Sequence, residues 1–456
     1  MAPTPPASET RWPDIGVNDV AVSTTVSLRR VAALSAPALV LLAAEPLYLL
    51  VDTAVVGHLG STPLAALAIG GTLMTVAAWL GTVLAYGTTS RAARWFGAGQ
   101  RAAAVAEGVQ ASWLAVALGA ALAAVAQVAA PAVTGAMAGG NEQVAAAAAG
   151  WLRIASLGFP WLLLATAGHG WLRGVQDFWR PLRYVLVANL CSAALCPLLV
   201  YPAGLGLVGS AVANVAAQAL AGALFVRALV VERVPLRPDP MVIGRQLVLG
   251  RDLLVRGAAM HACFLSATAV AGRFGTAALA AHQVAMQLWM FCALALDAVA
   301  LAAQALVGAA MGGGRGREAR AVARLVVTFG GAGGAGLAVV IASGSTLLPT
   351  LFSPDPEVHA QAMLAWPWFA AMLPLAGVVF ALDGVLIGAG DVGYLRNLTL
   401  VATLGGFLPA IWLSYALHLG LGGIWAGLTL FIVIRLAAQL GRMRSGRWVA
   451  LGAAPR

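Results

Sequence analysis

The chain has 456 residues, of which 61% are hydrophobic and 10% charged, with a mean hydropathy of +0.88. A soluble domain carries roughly a quarter of its residues as charges, so a large water-facing globule is excluded. All 27 basic residues are arginine and the formal charge is +10, but the arginines cluster between apolar stretches, which speaks for loops at a membrane face and against a nucleic-acid partner.

In chain order, residues 1–28 are rich in Pro, Ser and Thr and lack the apolar core of a signal peptide. They read as a disordered cytoplasmic tail. Apolar stretches then predict twelve membrane helices at 31–57, 63–89, 104–130, 147–170, 180–201, 207–230, 252–273, 278–308, 320–349, 362–389, 395–416 and 421–440. Each can cross a hydrocarbon layer about 30 Å thick. Helices are required because lipid offers backbone groups no hydrogen-bond partner and no barrel-like alternation is present. Arginines fall on alternate loops, among them Arg91/Arg94/Arg101, Arg233/Arg237/Arg245 and Arg315/Arg317/Arg320, whereas "HLGSTP" and "SPDPEVH" carry none. The positive-inside rule then places both termini in the cytoplasm of a bacterial inner-membrane protein. Arg273 is the main exception.

The first predicted helix contains "PLYLLVDTAVVGHLG" (46–60), with Asp52 in an apolar run and no arginine nearer than positions 29, 30 and 91. A carboxylate at the bilayer centre costs about 2.5–3.5 kcal/mol on insertion scales, so it faces a cavity or a partner. Desolvation disfavours its charged form and a nearby cation favours it, which suits Asp52 to proton or cation binding; a helix-packing hydrogen bond is the alternative. Glu45 lies two turns earlier, about 10 Å away along an ideal helix and too far to share one proton. A water-bridged relay and a simple hydrated position both stay open for it. Pro46 interrupts backbone hydrogen bonding and predicts a bend. Further along, Asn189 lies on segment 180–201, where a hydrogen bond to the site and helix packing are both open. The four cysteines all fall in apolar segments and read as packing residues, not as disulfides or a metal site. Asp297 and Asp383 are two more membrane carboxylates, suited to substrate contact, a proton relay or structural hydrogen bonding. Trp366 and Trp368 could stack on aromatic cations in a cavity, while most other tryptophans fit an interfacial belt.

Two pairs of segments recur at nearly one offset. "GHLGSTPLAA" (57–66) parallels "GRFGTAALAA" (272–281), continuing into "FGAGQRAAAVA" and "MGGGRGREARAV". "FPWLLLATAGHGWLRGVQD" (159–177) parallels "LPLAGVVFALDGVLIGAGD" (373–391) and pairs His169 with Asp383. Six helices separate the copies, so both halves share one orientation. The fold class is therefore an all-α polytopic membrane protein of two pseudo-symmetric six-helix bundles, an architecture that commonly serves alternating access. The expected divisions are an N-lobe at 29–230, a cytoplasmic linker at 231–251, a C-lobe at 252–440 and a tail at 441–456. The C-lobe counterpart of Asp52 is Ala267, so the halves are not functionally equal.

"SAPALV", "VDTAVVGHLG" and "LAALA" in the first half, with "AAHQVAMQ" and "LDGVLIGAGD…RN" in the second, resemble the multidrug and toxic compound extrusion (MATE) family in its DinF-like branch. The likeness runs from about residue 30 to 445, with the pieces in family order. It implies cation-coupled antiport of drug-like, often cationic and aromatic, compounds. It also implies that Asp52 binds the coupling ion, with a bend of its helix that Pro37, the match to a family proline, would allow. Tyr48 matches a family tyrosine. Ser192 and Cys196 stand where many members have asparagine and aspartate, and Asn214 where a threonine is expected. A thiol at 196 removes an oxygen from any sodium site, so H+ is the expected coupling ion and Na+ the alternative. Asp383 matches the aspartate of the "LDG" segment and Asp297 the branch pattern; Glu45 has no counterpart.

No P-loop, HExxH zinc motif or Gly-x-Ser-x-Gly site occurs, so neither an enzyme nor a cofactor is expected. The expected function is multidrug efflux by a monomeric antiporter acting on small cationic or amphipathic drugs within the lipid bilayer. A lipid-linked saccharide flippase is the rival. It would line its cavity with several basic groups, whereas Arg153, Arg256 and Arg273 lie near helix ends and acids occupy the middle.

Overall fold

The computed structural model describes residues 27–449, apart from the side chain of Glu45. The expected N-terminal tail therefore lies outside the described residues except for its last two positions, and so does the proposed role of Glu45. The first half comprises α1 (Leu28–Gly57), α2 (Ser61–Gly97), α3 (Arg101–Met137), α4 (Glu142–Ser156), α5 (Phe159–Gly174), α6 (Trp179–Val200) and α7 (Gly206–Val231). The second comprises α8 (Pro240–Arg273), α9 (Thr276–Gly312), α10 (Gly316–Ser343), α11 (Leu347–Phe352), α12 (Pro356–Gly388), α13 (Val392–Val401), α14 (Leu408–Ala416) and α15 (Gly420–Arg444). A π-helical turn at Ala402–Phe407 joins α13 to α14 within one span. Among the described residues, eleven spans are long and apolar enough to cross a membrane, and the bent pair α4–α5 makes up to twelve.

Two expectations need correction. Segment 147–170 is not one straight helix. It is α4 and α5, bent by 50° at Leu157–Gly158. Pro160 sits in the first turn of α5, where its missing N–H costs nothing, and Gly158 lets Gln218 of α7 approach the backbone closer than any Cβ would permit. The linker at 231–251 is also much shorter than expected. Asp239 caps α8 by accepting from Met241 N and Val242 N, and Pro240 occupies its first position. The Asp-Pro pair is a helix start signal that outweighs the polar composition of the segment.

The linker is tied to the N-lobe. Gln110 of α3 donates to Arg237 O (3.0 Å) and accepts from Asp239 N (2.7 Å), while Trp113 donates to Leu236 O (2.8 Å). The first turns of α8 follow it, because Gln246 donates to the Glu107 carboxylate at 3.0 Å. That carboxylate also forms a buried bidentate pair with Arg91 at 2.7 and 2.8 Å. At the opposite end Arg273 stacks on Trp412 (4.7 Å) and Tyr415 (5.4 Å), which gives the exceptional arginine an aromatic partner.

The lobes meet at the arginine-rich end. A Cβ on Gly97 would collide with Ala309 O, and a Cβ on Gly312 with Arg94 O, so α2 and α9 cross backbone to backbone. Gly97 and Gly312 are equivalents in the internal repeat, and their contacts are reciprocal, as expected on a two-fold axis. Ser90 donates to Ile387 O (2.7 Å), Gln304 to Tyr86 O (2.6 Å) and Arg94 to Ala389 O across the same seam. Farther along, Trp79 meets Gly257 and packs edge-on against His261. Toward the arginine-poor end, Val76 is 53% and Leu265 73% exposed.

Overpacking of about 1–3 kcal/mol at the crossing should shift the open–closed equilibrium by about tenfold or more. We expect Gly312→Val and Gly97→Val to have equal effects, each raising the labelling rate of a cysteine placed at Ser90 in a background lacking the native cysteines. An unchanged rate in both would show that the crossing does not hold this end shut.

Candidate functional site

The N-lobe site forms where α1, α6 and α7 meet. Asp52 and Tyr48 are one turn apart and share a face of α1, whereas the neighbouring Leu47 and Leu50 are 61% and 65% exposed. Asp52 is buried, and its Oδ1 accepts from Ser210 Oγ of α7 at 2.8 Å and from Cys196 Sγ of α6 at 3.2 Å. Among the described residues no arginine forms a salt bridge with it. Around the Tyr48 hydroxyl lie Ser192 Oγ at 3.1 Å and Asn214 Nδ2 at 3.3 Å. Gln218 Nε2 donates to Asn214 Oδ1 at 2.6 Å and so occupies the amide oxygen.

The structure thus brings Asp52, Tyr48, Ser192, Cys196 and Asn214 into one buried cluster. Asn189 stands apart. Its amide donates to Ala44 O at 3.3 Å and fastens α6 to the α1 backbone two residues before Pro46. Pro37 and Pro46 both lie inside α1, where their missing N–H groups leave the carbonyls of Ala33 and Leu42 without the usual helical bond. Ser210 was not anticipated. It lies four residues before Asn214, on the same face of α7, and a serine at that spacing in an apolar helix was the available signal. Trp151 of α4 reaches Ser210 Oγ at 3.3 Å and connects the bent pair to the site.

The C-lobe differs from what the sequence suggested. Asp383 is not an open acid. Its Oδ2 accepts from Arg256 Nη2 and Arg435 Nη2, each at 2.5 Å, and its Oδ1 from Gln439 Nε2 at 2.7 Å. Arg435, on α15, is 1% exposed. The picture of basic groups confined to helix ends around central acids therefore fails, and with it the argument that the C-lobe selects cations. A carboxylate in hydrocarbon recruits guanidinium groups from any helix within reach, and sequence spacing does not reveal which. Asp297 of α9 accepts from the Tyr86 hydroxyl of α2 at 2.6 Å, a bond that crosses the lobe seam. Arg173 and Arg256 act on it electrostatically. His169 packs edge-on against Phe225, and its Nε2 has no hydrogen-bond partner among the described residues.

Neither Trp366 nor Trp368, the two tryptophans expected at a cavity, lines the apolar cavity of the C-lobe. Trp366 is in the C-lobe core, donating to Ile341 O at 2.7 Å, and Trp368 is exposed. Residues two apart on a helix point to nearly opposite sides, so the pair could not share a cavity. Trp289 of α9 lines the apolar cavity that does exist inside the C-lobe, together with Met260, Phe264, Phe380, Phe431 and Arg435.

Hydrogen bonds to a charged group contribute about 1.5–3 kcal/mol, so Ser210 should matter to any charge change at Asp52. We expect Ser210→Ala to slow gradient-driven efflux by about tenfold, in line with that range. Cys196→Ser, which supplies a stronger donor, should retain wild-type rates. Dye efflux from everted vesicles checks both, and equal rates for Ser210→Ala and wild type would remove Ser210 from the site.

Comparison with known proteins agrees with this architecture. The family model MatE matches residues 37–198 and 254–412, one copy in each lobe. The chain is 31% identical to Protein DETOXIFICATION 44, chloroplastic, of Arabidopsis thaliana, covering 97% of this chain and 86% of that one. It is 32% identical to the DNA damage-inducible protein F of Escherichia coli (strain K12), covering 89% and 90%. The fold superposes on a crystal structure of MATE in the bent conformation with a TM-score of 0.84 at 21% identity, covering 93% of this chain and 96% of the other. The chain is a member of the MATE family of multi-pass membrane transporters.

Proposed function

We propose that the chain is a secondary active efflux antiporter that exchanges amphipathic organic compounds for protons, with Asp52 as the coupling group. The observation that carries this reading is the setting of Asp52: a buried carboxylate with two hydrogen-bond donors and no cationic partner among the described residues. Such a group is expensive while charged and accepts a proton readily. Relatives named as multidrug resistance proteins, such as NorM of Burkholderia vietnamiensis, support the efflux direction. On the positive-inside rule the arginine-rich end faces the cytoplasm, which makes the seam closed by Gly97 and Gly312 the inner gate.

Proton rather than sodium coupling is supported by the inventory of oxygens. Among the described residues one carboxylate is present, a thiol stands at position 196, and the Asn214 oxygen is held by Gln218. A hard cation needs several free oxygen ligands.

The direct test is Asp52→Asn in proteoliposomes with an imposed pH gradient. Efflux should lose its gradient response, and substrate binding in detergent should no longer release protons; an intact response would overturn the assignment. A companion variant, Cys196→Asp, places a second carboxylate beside the first. We expect it to gain sodium-dependent thermal stabilisation that the wild type lacks, through binding to the native state alone. Strong sodium stabilisation of the wild type would reverse the choice of ion.

A further inference from the structure

The geometry points to a binding site in the C-lobe for the anionic head of an amphipathic molecule, seated on Arg435 at the base of the apolar cavity. The walls come from four helices: Met260 and Phe264 from α8, Trp289 from α9, Phe380 from α12 and Phe431 from α15. Arg435 is the charged residue among the lining side chains.

The charges around it do not balance. Asp383 accepts from both Arg256 and Arg435, so two guanidinium groups share one carboxylate. Asp297 and Arg173, which act on each other electrostatically, do not remove the excess. Three arginines therefore face two aspartates, one positive charge too many for a desolvated region. The hydrogen-bond count agrees. A guanidinium carries five N–H donors, and the Nε–H groups of Arg435 and Arg256 are buried without partners among the described residues. Unpaired buried donors on a charged group are costly and are tolerated where a ligand completes them.

Local backbone structure fits a site as well. The π-helical turn at Ala402–Phe407 packs against α15, with the Phe407 ring 6.2 Å from that of Phe431. Such turns interrupt regular helix geometry and recur at functional positions. Gly406 lies against the tip of the Ile434 side chain, next to Arg435. The cavity holds about 20 Å³ as it stands, so an anionic head would meet the orphan donors and offset the charge while its apolar body entered by parting the aromatic walls. Two sources share this chemistry: a free aromatic or aliphatic anion, and the phosphate of an anionic lipid. The proposal names a substrate class for the efflux reading and rests on it for that role alone; binding stands separately.

The test uses three isosteric probes, naphthalene sulfonate, naphthalene methanol and naphthylmethylammonium, in equilibrium dialysis against the full chain in phosphatidylcholine nanodiscs. The sulfonate should bind at least about tenfold more tightly than the ammonium, as charge-assisted hydrogen bonds imply. Arg435→Gln should abolish that preference and leave the alcohol unchanged. Should Arg435→Gln fail to fold, Leu428→Trp fills the cavity while keeping every charge, and it should block sulfonate binding. Ammonium binding as tight as sulfonate binding, or a sulfonate preference that survives either variant, would overturn the site. Adding phosphatidylglycerol to the discs separates the sources. Displacement of sulfonate from the wild type assigns a lipid anion, and no displacement assigns a free one; both support Arg435 as the anchor. Sulfonate binding without gradient-driven transport would overturn the efflux reading and spare the site. Transport of the ammonium with no sulfonate binding would do the reverse.

Discussion

Hydrocarbon gives a carboxylate neither water nor counter-ion, so each membrane acid must find its partners within the protein. Three aspartates meet that demand in three ways. Asp52 has two neutral donors, Ser210 and Cys196. Asp297 takes the Tyr86 hydroxyl from the other lobe. Asp383 takes two arginines and a glutamine. The partners decide the chemistry. Neutral donors leave Asp52 able to gain or lose a proton, since either state keeps hydrogen bonds. Asp383 instead gives both oxygens to guanidinium and amide donors.

The seam between the lobes depends on a different economy of space. Gly97 and Gly312 let two backbones touch at the arginine-rich end, and the polar bonds of Ser90, Gln304 and Arg94 to carbonyls across the seam then become short enough to form. The Tyr86–Asp297 bond lies on the same seam, so a transition that parts the lobes must break it. The charged cluster of the C-lobe is thereby linked mechanically to the gate. The first turns of α8, anchored through Gln246 to Glu107, carry the connection between lobes.

The two lobes descend from one repeated pattern but have diverged in polarity. Where the N-lobe has Asp52 the C-lobe has Ala267, which is fully buried. The C-lobe instead gathers its charge from α8, α12 and α15 beside a cavity. This division supports proton exchange in one lobe and recognition of a charged amphipathic molecule in the other.

The membrane class, the helical spans, the duplication and the place of Asp52 within an apolar helix were determined by the sequence itself, because hydropathy, arginine alternation and a lone acid in an apolar run are local or periodic properties of the chain. So was the proximity of Tyr48 to Asp52, which helix periodicity imposes. The break at Leu157–Gly158 and the early start of α8 had local signals, in Pro160 and in Asp239–Pro240, that the hydropathy window averages away. Tertiary structure alone decided the rest. Ser210 reaches Asp52 across 158 positions and Arg435 reaches Asp383 across 52. Those partnerships depend on which helix faces which neighbour, and no spacing along the chain encodes that. The same physics places the tryptophans: Trp366 and Trp368, close in sequence, are separated by the turn of a helix, while Trp289, remote from both, is brought to the cavity wall by packing.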